Sequence, residues 1–184
     1  MITSKADLKQ WLSAENYLKG TGIKEYLLYI FQGSERAVLQ KHQRLLRILE
    51  YHLNAGHRFC AFYYRYRLNR FQNKYSIHIP PNTCGKGLRL LHVGPVLINY
   101  KAVLGNNCAI HINTAIVAGN STEGVPHIGN NVLICTGATL VGGITIADDI
   151  VVGANALVNR SFTTNNITIA GVPARKIKET GRYQ

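Results

Sequence analysis

The amino-acid sequence predicts an all-β domain, a parallel β-helix, preceded by a helical region. An aliphatic residue recurs at every sixth position from Ile98 to Val158. Of these eleven positions, ten hold Ile, Leu or Val, and only Thr122 interrupts the repeat. A helix repeats every 3.6 residues and a flat strand every 2, so neither sustains a period of six. Hexapeptide repeats are typical of parallel β-helices, in which three repeats make one triangular coil of roughly 18 residues.

A second series supports the same fold, because the residue two positions before each aliphatic one is mostly small or β-branched. Residues two apart in a strand face the same side, so we expect the two series to fill a narrow interior together. Intervening stretches such as Gly105–Asn107 and Gly129–Asn131 suit tight corners, since Gly and Asn tolerate left-handed backbone. The residues expected to point inward are Ile98, Leu104, Ile110, Ile128, Ile134, Leu140, Ile146 and Val152.

The first 75 residues lack the six-residue repeat and are predicted to be helical. Ser4 and Asp7 have the spacing of a helix cap, and the glycines at 20–22 end that first helix. A second helix is predicted over about residues 34–53, with an apolar stripe and basic residues opposite. We therefore divide the chain into residues 1–75, a β-helix at 76–177 and a loose tail at 178–184.

Composition narrows the classes of function. The formal net charge is +12, and 13 of the 21 Lys and Arg residues lie within the first 75 residues, which favours anionic partners. No run of 18 apolar residues is present, so no membrane span is expected. The opening residues lack the apolar segment of a signal peptide, which predicts a cytoplasmic protein. The four cysteines show no C-x-x-C spacing, so we expect small buried side chains and no metal site.

Residues 57–72 are dense in aromatic and arginine side chains. Packing against the β-helix or a neighbouring subunit, with the arginines reaching into solvent, is the interpretation we favour. Peripheral contact with a membrane or a polysaccharide is the alternative. Nucleic-acid binding is the least favoured.

Four motifs carry further information: the block His92–Asn99, the hexapeptides, Pro126–Gly129 after a loop, and above all Ala170–Arg175, which reads A-G-V-P-A-R. Together they resemble the serine acetyltransferase branch of the left-handed β-helix acyltransferases, over about residues 76–177. The opening Ser4–Lys9 is similar to members of that family linked to surface polysaccharide synthesis. The resemblance implies a left-handed β-helix that assembles as a homotrimer.

The resemblance also implies transfer of an acetyl group from acetyl-CoA to a hydroxyl, either of serine or of a saccharide. A hydroxyl is a poor nucleophile at neutral pH and needs a general base, and histidine suits that pH. Alignment with the family's histidine places this base at His92. No covalent acyl-enzyme is required, so no Ser or Cys nucleophile is expected.

Three further residues are candidates for the same site. His111 lies 19 residues after His92, about one coil further on, so we expect the two histidines to be neighbours and His111 to be a second catalytic candidate. Glu123 lies in the loop at 118–126 and His127 directly follows it. Both are candidates for substrate contact, from the same subunit or a neighbouring one.

Coenzyme A, by the same resemblance, lies in the groove between adjacent β-helices. Small residues are expected to leave the backbone open to its pantetheine arm, and two basic residues are expected to neutralise its phosphates. The small residues are Gly137, Ala138, Gly153, Ala154 and Gly171, and the basic residues are Arg175 and Lys176.

Four positions depart from the family pattern. The carboxylates of the family align with Ile77 and Leu91, and its second histidine and adjacent arginine align with Val125 and Gly124. These departures leave the acceptor open between serine and a sugar hydroxyl. N-acetylation of an amino sugar on the same fold and a non-catalytic scaffold are the alternative functions.

Overall fold

The computed structural model of the chain describes residues 1–20, 22–119 and 124–182. They form two compact units, one of residues 1–75 and one from Ser76 onward. The first unit is helical, and the second is the predicted left-handed parallel β-helix.

The described residues of the first unit form four helices: α1 (Lys5–Ala14), α2 (Ile23–Phe31), α3 (Glu35–Asn54) and α4 (Arg58–Tyr75). The predicted cap is present, because the Ser4 hydroxyl accepts from the Asp7 N–H and the Asp7 carboxylate accepts from the Ser4 N–H. Ser34 caps α3 through its own side chain. Helix α2 was not predicted, and its N-cap, Gly22, makes no side-chain hydrogen bond.

A buried ion network joins α1 to α3. The Arg47 side chain is fully buried, and its guanidinium donates to Glu15 at 2.7 Å and to Glu50 at 2.8 Å. The guanidinium lies over the Trp11 ring, and its Cζ atom is 4.7 Å from the centroid of that ring. The prediction that basic residues of this helix lie opposite its buried stripe is therefore wrong for Arg47, whose charge is balanced by two buried carboxylates.

In the part of the β-helix unit that the structure describes, the strands form three sheets, one on each face of the prism. A five-stranded sheet contains β1 (Ile77–His78), β3 (Val96–Ile98), β6 (Thr114–Val117), β9 (Thr139–Val141) and β12 (Leu157–Val158). A three-stranded sheet contains β4 (Val103–Leu104), β7 (His127–Ile128) and β10 (Thr145–Ile146). A six-stranded sheet contains β2 (Arg89–Leu90), β5 (Ala109–Ile110), β8 (Leu133–Ile134), β11 (Val151–Val152), β13 (Thr168–Gly171) and β14 (Ala174–Lys178).

The interior follows the predicted period. Every described aliphatic position of the repeat is buried, with exposures from 0% to 4%. Smaller residues two positions earlier are buried as well, including Ala102, Cys108 and Ala138. Each coil thus contributes a large and a small side chain per face, which gives the dense packing of a protein core.

The corners depend on asparagine and glycine. Asn107, Asn131 and Asn155 have positive φ angles between 55° and 57°, a conformation that costs most other residues energy. Gly105 has a different reason to be glycine, since a Cβ atom there would lie 2.6 Å from backbone atoms of Gly129 on the next coil.

One coil is longer than its neighbours. Ile116 pairs with Leu140, twenty-four residues later, whereas Leu140 pairs with Val158, eighteen residues later. The additional six residues fall in the loop between β6 and β7, where the sequence pattern relaxes. Thr122, the interruption in the repeat, lies outside the described residues.

The end of the chain differs from the expected loose tail. β14 turns back and pairs antiparallel with β13. Gly181 is buried, the Arg182 N–H donates to the Asp149 carbonyl at 2.9 Å, and the Arg182 guanidinium donates to the Asn107 carbonyl at 2.6 Å. These hydrogen bonds hold residues up to 182 on the wall of the β-helix.

The cysteines are not all buried as predicted. Cys84 and Cys108 are buried, Cys135 is half-buried and Cys60 is exposed on α4. In the described part of the chain, no helix is long and apolar enough to cross a membrane.

Candidate active site on the histidine edge

One edge of the β-helix collects most of the predicted functional residues. Here the chain passes from the six-stranded sheet to the five-stranded sheet, in the segments 91–95, 111–113, 135–138 and 153–156. We call it the histidine edge, because His92 and His111 lie in its first two segments. Gly171, at the end of β13, continues the same edge.

Backbone hydrogen bonds fix the register along this edge. The N–H groups of His111, Cys135 and Gly153 donate to carbonyls one coil further on, at 2.8 to 2.9 Å. These residues therefore occupy equivalent positions on successive coils. With strands about 4.8 Å apart, the four steps from β2 to β13 span about 19 Å.

The two histidines are neighbours, as their spacing predicted. Their ring centroids are 6.1 Å apart and the rings are inclined by 41°. His92 is exposed and His111 is half-buried. Burial, and then repulsion from His92, lower the pKa of His111. His111 is consequently neutral at pH 7 and can act as a hydrogen-bond donor or acceptor.

The structure places the Ile77 side chain in the core. Gap-free counting placed a family carboxylate there, but the Ile77 side chain is fully buried and its Cα pairs with Val96. Adjacent positions of a strand face opposite sides, so the outward-facing neighbours are Ser76 and His78, both exposed. The core therefore requires a hydrophobic residue at Ile77.

Leu91 is a different case, since it is only partly exposed and lies on the histidine edge itself, directly before His92. Gly124 and Val125 lie in the last part of the loop before β7, and Gly124 has a φ of +74°. Glycine adopts this conformation without steric cost. At these three positions the chain presents apolar or absent side chains.

The small residues predicted to contact the coenzyme differ in their exposure. Gly137, Gly153, Ala154 and Gly171 lie on the histidine edge, and Gly171 and Ala154 are exposed. Ala138 does not fit its predicted role, because its side chain is fully buried and its N–H and carbonyl are both hydrogen-bonded to the protein.

Two of these glycines have structural reasons of their own. A Cβ atom at Gly137 would collide with the Asn155 side chain, and one at Gly153 would lie 2.7 Å from Ala170 Cβ. Their lack of a side chain is therefore needed for coil stacking, and it also keeps the edge narrow.

The basic residues lie at the far end of the edge. Arg175 and Lys176 are exposed on β14, where Arg175 pairs with Ala170 of β13. Lys176 forms an exposed ion pair with Glu179 at 2.7 Å. Positive charge thus lies at one end of the edge and the histidine pair lies at the other.

Two candidates are not on this edge. His127 is exposed on β7 in the three-stranded sheet, a different face of the same prism. Glu123 lies outside the described residues. Among the described residues, no three His, Cys, Asp or Glu side chains converge in a way that could hold a metal ion.

Cys135 is a residue of the edge that the sequence did not single out. It occupies the position after His111 and before Gly153 on successive coils. Burial raises the pKa of its half-buried thiol, so the thiol stays protonated at neutral pH. Only the register of the coils reveals this placement, because the sequence shows no motif around it.

Comparison with known proteins gives a consistent result. No family model matches the chain. It is 30% identical over 137 residues to the serine acetyltransferase of Staphylococcus epidermidis, covering 73% of this chain and 63% of that protein. The Staphylococcus aureus Mu50 serine acetyltransferase is 32% identical over 117 residues, covering 62% of this chain and 54% of that protein. The chain thus spans less than two thirds of these relatives.

Solved structures agree in fold. The serine acetyltransferase of Brucella abortus S19 superposes with a TM-score of 0.75 at 23% identity, covering 97% of this chain and 72% of the other. The same enzyme in complex with coenzyme A gives a TM-score of 0.69 at 26% identity, covering 96% and 68%. The predicted resemblance of this chain to the serine acetyltransferases is therefore confirmed, both in sequence and in fold.

Proposed function

We propose that this protein is an acetyl-CoA-dependent O-acetyltransferase that uses a histidine as general base. The observation that carries the proposal is the arrangement of the histidine edge. A histidine pair lies at one end, a narrow line of small residues follows, and Arg175 with Lys176 lies at the other end. The solved relative with coenzyme A bound supports the same co-substrate.

His92 is the proposed base. Its neutral imidazole accepts the proton of the acceptor hydroxyl as that oxygen attacks the thioester carbonyl. The C–S bond of the thioester then breaks, and the protonated imidazole gives the proton to the departing thiolate. Because the acceptor oxygen bonds directly to the acetyl carbon, no acyl-enzyme forms. His111, kept neutral by its lowered pKa, orients the His92 ring or donates a hydrogen bond to the reacting oxygen. Acetyl-CoA supplies the activated acetyl group.

The opposite end of the edge binds the phosphates of acetyl-CoA in this proposal. The span of about 19 Å, at four strand spacings of about 4.8 Å, separates the base from the basic strand β14. Arg175 offers a guanidinium suited to phosphate, and its side chain is exposed. The glycines between them leave room for the pantetheine arm.

Substitution of Arg175 tests this placement. Arg175→Ala is expected to weaken acetyl-CoA binding by about 1–3 kcal/mol, the range for losing a charge-assisted hydrogen bond. Isothermal titration calorimetry measures the affinity. Lys101→Ala, which removes an exposed cation from another edge, is the matched control and should bind normally. Equal affinities in the two variants would remove Arg175 from the site.

The position of the carboxylates favours a saccharide acceptor. Asp148 and Asp149 lie on another edge, where they accept from the side chains of Asn130 and Asn131. Glu179 is paired with Lys176. Among the described residues of the β-helix unit, the acidic side chains are thus engaged away from the histidines. A free amino acid brings an ammonium group that would lack a carboxylate there, whereas a sugar hydroxyl needs none.

L-Serine is the second candidate, because the relatives are serine acetyltransferases. Thiol release from acetyl-CoA, measured with L-serine, with nucleotide sugars and with amino sugars, separates these acceptors. A higher kcat/KM is expected for a nucleotide sugar than for serine. A higher kcat/KM for serine would reverse the order of acceptors but leave the proposed mechanism in place. A higher kcat/KM for an amino sugar would identify N-acetylation. Absence of acetyl-CoA binding would instead identify a scaffold.

A homotrimer is proposed as the active assembly. The faces of the β-helix expose large apolar side chains, with Leu97 at 49%, Tyr100 at 70% and Val103 at 48% exposure. A second wall beside the histidine edge would cover such side chains and close a groove for the coenzyme. Analytical ultracentrifugation is expected to show trimers. A monomer that still binds acetyl-CoA tightly would contradict this assembly.

A further inference from the structure

Helix α4 has two apolar faces, and the helical unit uses only one of them. Ala61, Leu68 and Gln72 are buried against the rest of the unit. On the opposite side, large aromatic residues at the spacing i, i+3, i+4 and i+7 face solvent. Their exposures are 93% for Phe59, 77% for Phe62, 49% for Tyr63 and 53% for Tyr66.

Positive charge accompanies this aromatic stripe. α4 contains Arg58, Arg65, Arg67, Arg70 and Lys74 and has no Asp or Glu. The Arg67 and Arg70 guanidinium groups donate to the hydroxyls of Tyr63 and Tyr66, one turn earlier on the helix. Cations are therefore held at the same level as the rings. We call Phe59, Phe62, Tyr63, Tyr66, Arg67 and Arg70 the aromatic–arginine surface.

A groove beside this surface has the same character. It has a volume of about 740 Å³, and its cationic lining residues are Lys41, Arg67, Arg70 and Lys74. Tyr66 and Phe71 form part of its wall. A phosphate-bearing headgroup fits such a lining, because it carries the opposite charge and accepts hydrogen bonds from guanidinium and ammonium groups.

Exposed aliphatic and aromatic residues extend the apolar character to α2. Ile23 is 82% exposed and Phe31 is 84% exposed. Ile30, near the end of α2, lines a second cavity together with Arg67. Helical surfaces that combine exposed apolar residues with Arg and Lys are typical of binding at the boundary between lipid headgroups and acyl chains.

We propose that the aromatic–arginine surface docks the helical unit onto an anionic lipid surface. The arginines pair with lipid phosphates, and Phe59 and Phe62 enter the headgroup region. A soluble polyanion would satisfy the arginines but leave the two phenylalanines in water. A second copy of the same surface would oppose five cations of one α4 with five of the other, and such like charges repel.

Vesicle binding of the 184-residue chain tests the proposal. Vesicles of phosphatidylcholine mixed with phosphatidylglycerol are expected to bind it, and vesicles of phosphatidylcholine alone are expected to bind it weakly. Each basic residue near an anionic surface strengthens binding about fivefold. Arg67→Gln/Arg70→Gln should therefore weaken binding about 25-fold, and high salt should weaken the wild type.

Two further variants separate lipid from other partners. Phe59→Ser/Phe62→Ser should also weaken vesicle binding, by at least roughly tenfold, because the apolar contribution to interfacial binding is lost. Arg89→Gln/Lys101→Gln removes two exposed cations from the β-helix unit and is the charge-matched control, which should bind like the wild type. Thermal unfolding confirms that each variant is folded.

Three results would overturn the proposal. Equal vesicle binding by the wild type and both α4 variants would exclude this surface. Tight binding to heparin or RNA that is insensitive to Phe59→Ser/Phe62→Ser, with weak vesicle binding, would identify a soluble polyanion. A change of oligomer size in Phe59→Ser/Phe62→Ser without a change in vesicle binding would identify an interface between copies of the chain.

Discussion

His92→Ala is expected to lower kcat by roughly 10²–10⁴ while acetyl-CoA binding persists, because this range is the usual contribution of a general base. His92 is exposed on the histidine edge, so truncation of its side chain leaves the core intact. Thiol release measures kcat with the best acceptor, and calorimetry measures coenzyme affinity. His78→Ala is the matched control, since His78 is also exposed and lies on β1 of the neighbouring coil.

Dependence on pH gives a second measurement of the same residue pair. Only a neutral imidazole accepts a proton, so acid should lower wild-type activity. The pKa of His111 is lowered first by burial and then by His92. In His92→Ala the repulsion is absent, so the pKa of His111 should rise part of the way toward its ordinary value. NMR titration of the imidazole protons reports this change.

Full activity of His92→Ala on a good acceptor would contradict the mechanism, and His111→Ala would then be the variant to measure. An unchanged pKa of His111 in His92→Ala would show that the two rings are not electrostatically coupled, although their centroids are only 6.1 Å apart.

Arg47→Met is expected to destabilise the helical unit by about 3–5 kcal/mol, the cost of removing one partner from a buried ion pair. Burial opposes the charge of Arg47, but Glu50 and Glu15 outweigh it and raise the pKa of Arg47. Without the guanidinium, two carboxylates with side-chain exposures of 0% and 2% remain buried and unneutralised. Urea unfolding, followed by the fluorescence of the single tryptophan, Trp11, measures the loss.

Two control variants show whether the loss of stability in Arg47→Met comes from the buried charges. Arg44→Met changes an exposed arginine of the same helix and should alter the free energy of unfolding by less than about 0.5 kcal/mol. Glu15→Gln/Arg47→Met/Glu50→Gln removes the whole charge set and should recover part of the stability, because no buried carboxylate remains. A loss of less than about 1 kcal/mol in Arg47→Met would show that water reaches the carboxylates in solution.

The sequence predicted the β-helix because a single physical requirement repeats along it. Each coil must place a large and a small apolar residue on every face, and that requirement is visible as a period of six. α2 was missed because its N-terminal glycine offers no side-chain cap, which is the usual sequence signal for a helix start. The burial of Arg47 was missed because its partner Glu15 is distant in sequence.

The candidate site, like the fold, could be predicted only in part from the sequence. The neighbouring positions of His92 and His111 follow from the number of residues per coil. The alignment alone did not show that Ile77 is buried, because a shift of one residue moves a strand position from the outer face to the core. The exclusion of Ala138 from coenzyme binding required the structure, since its neighbour Gly137 has a similarly small size but a different exposure.

The returning strand β14 also covers a sheet edge on which a second copy of the chain could stack. A parallel β-helix ends in unpaired backbone groups, and such an end is a template on which another chain can stack. β14 covers the last strand of the six-stranded sheet in the antiparallel direction and carries Arg175, Lys176 and Lys178. Positively charged edge strands repel one another, so β14 is expected to oppose fibril growth. Removal of residues beyond Gly171 would therefore expose an aggregation-prone edge as well as delete the proposed phosphate contacts.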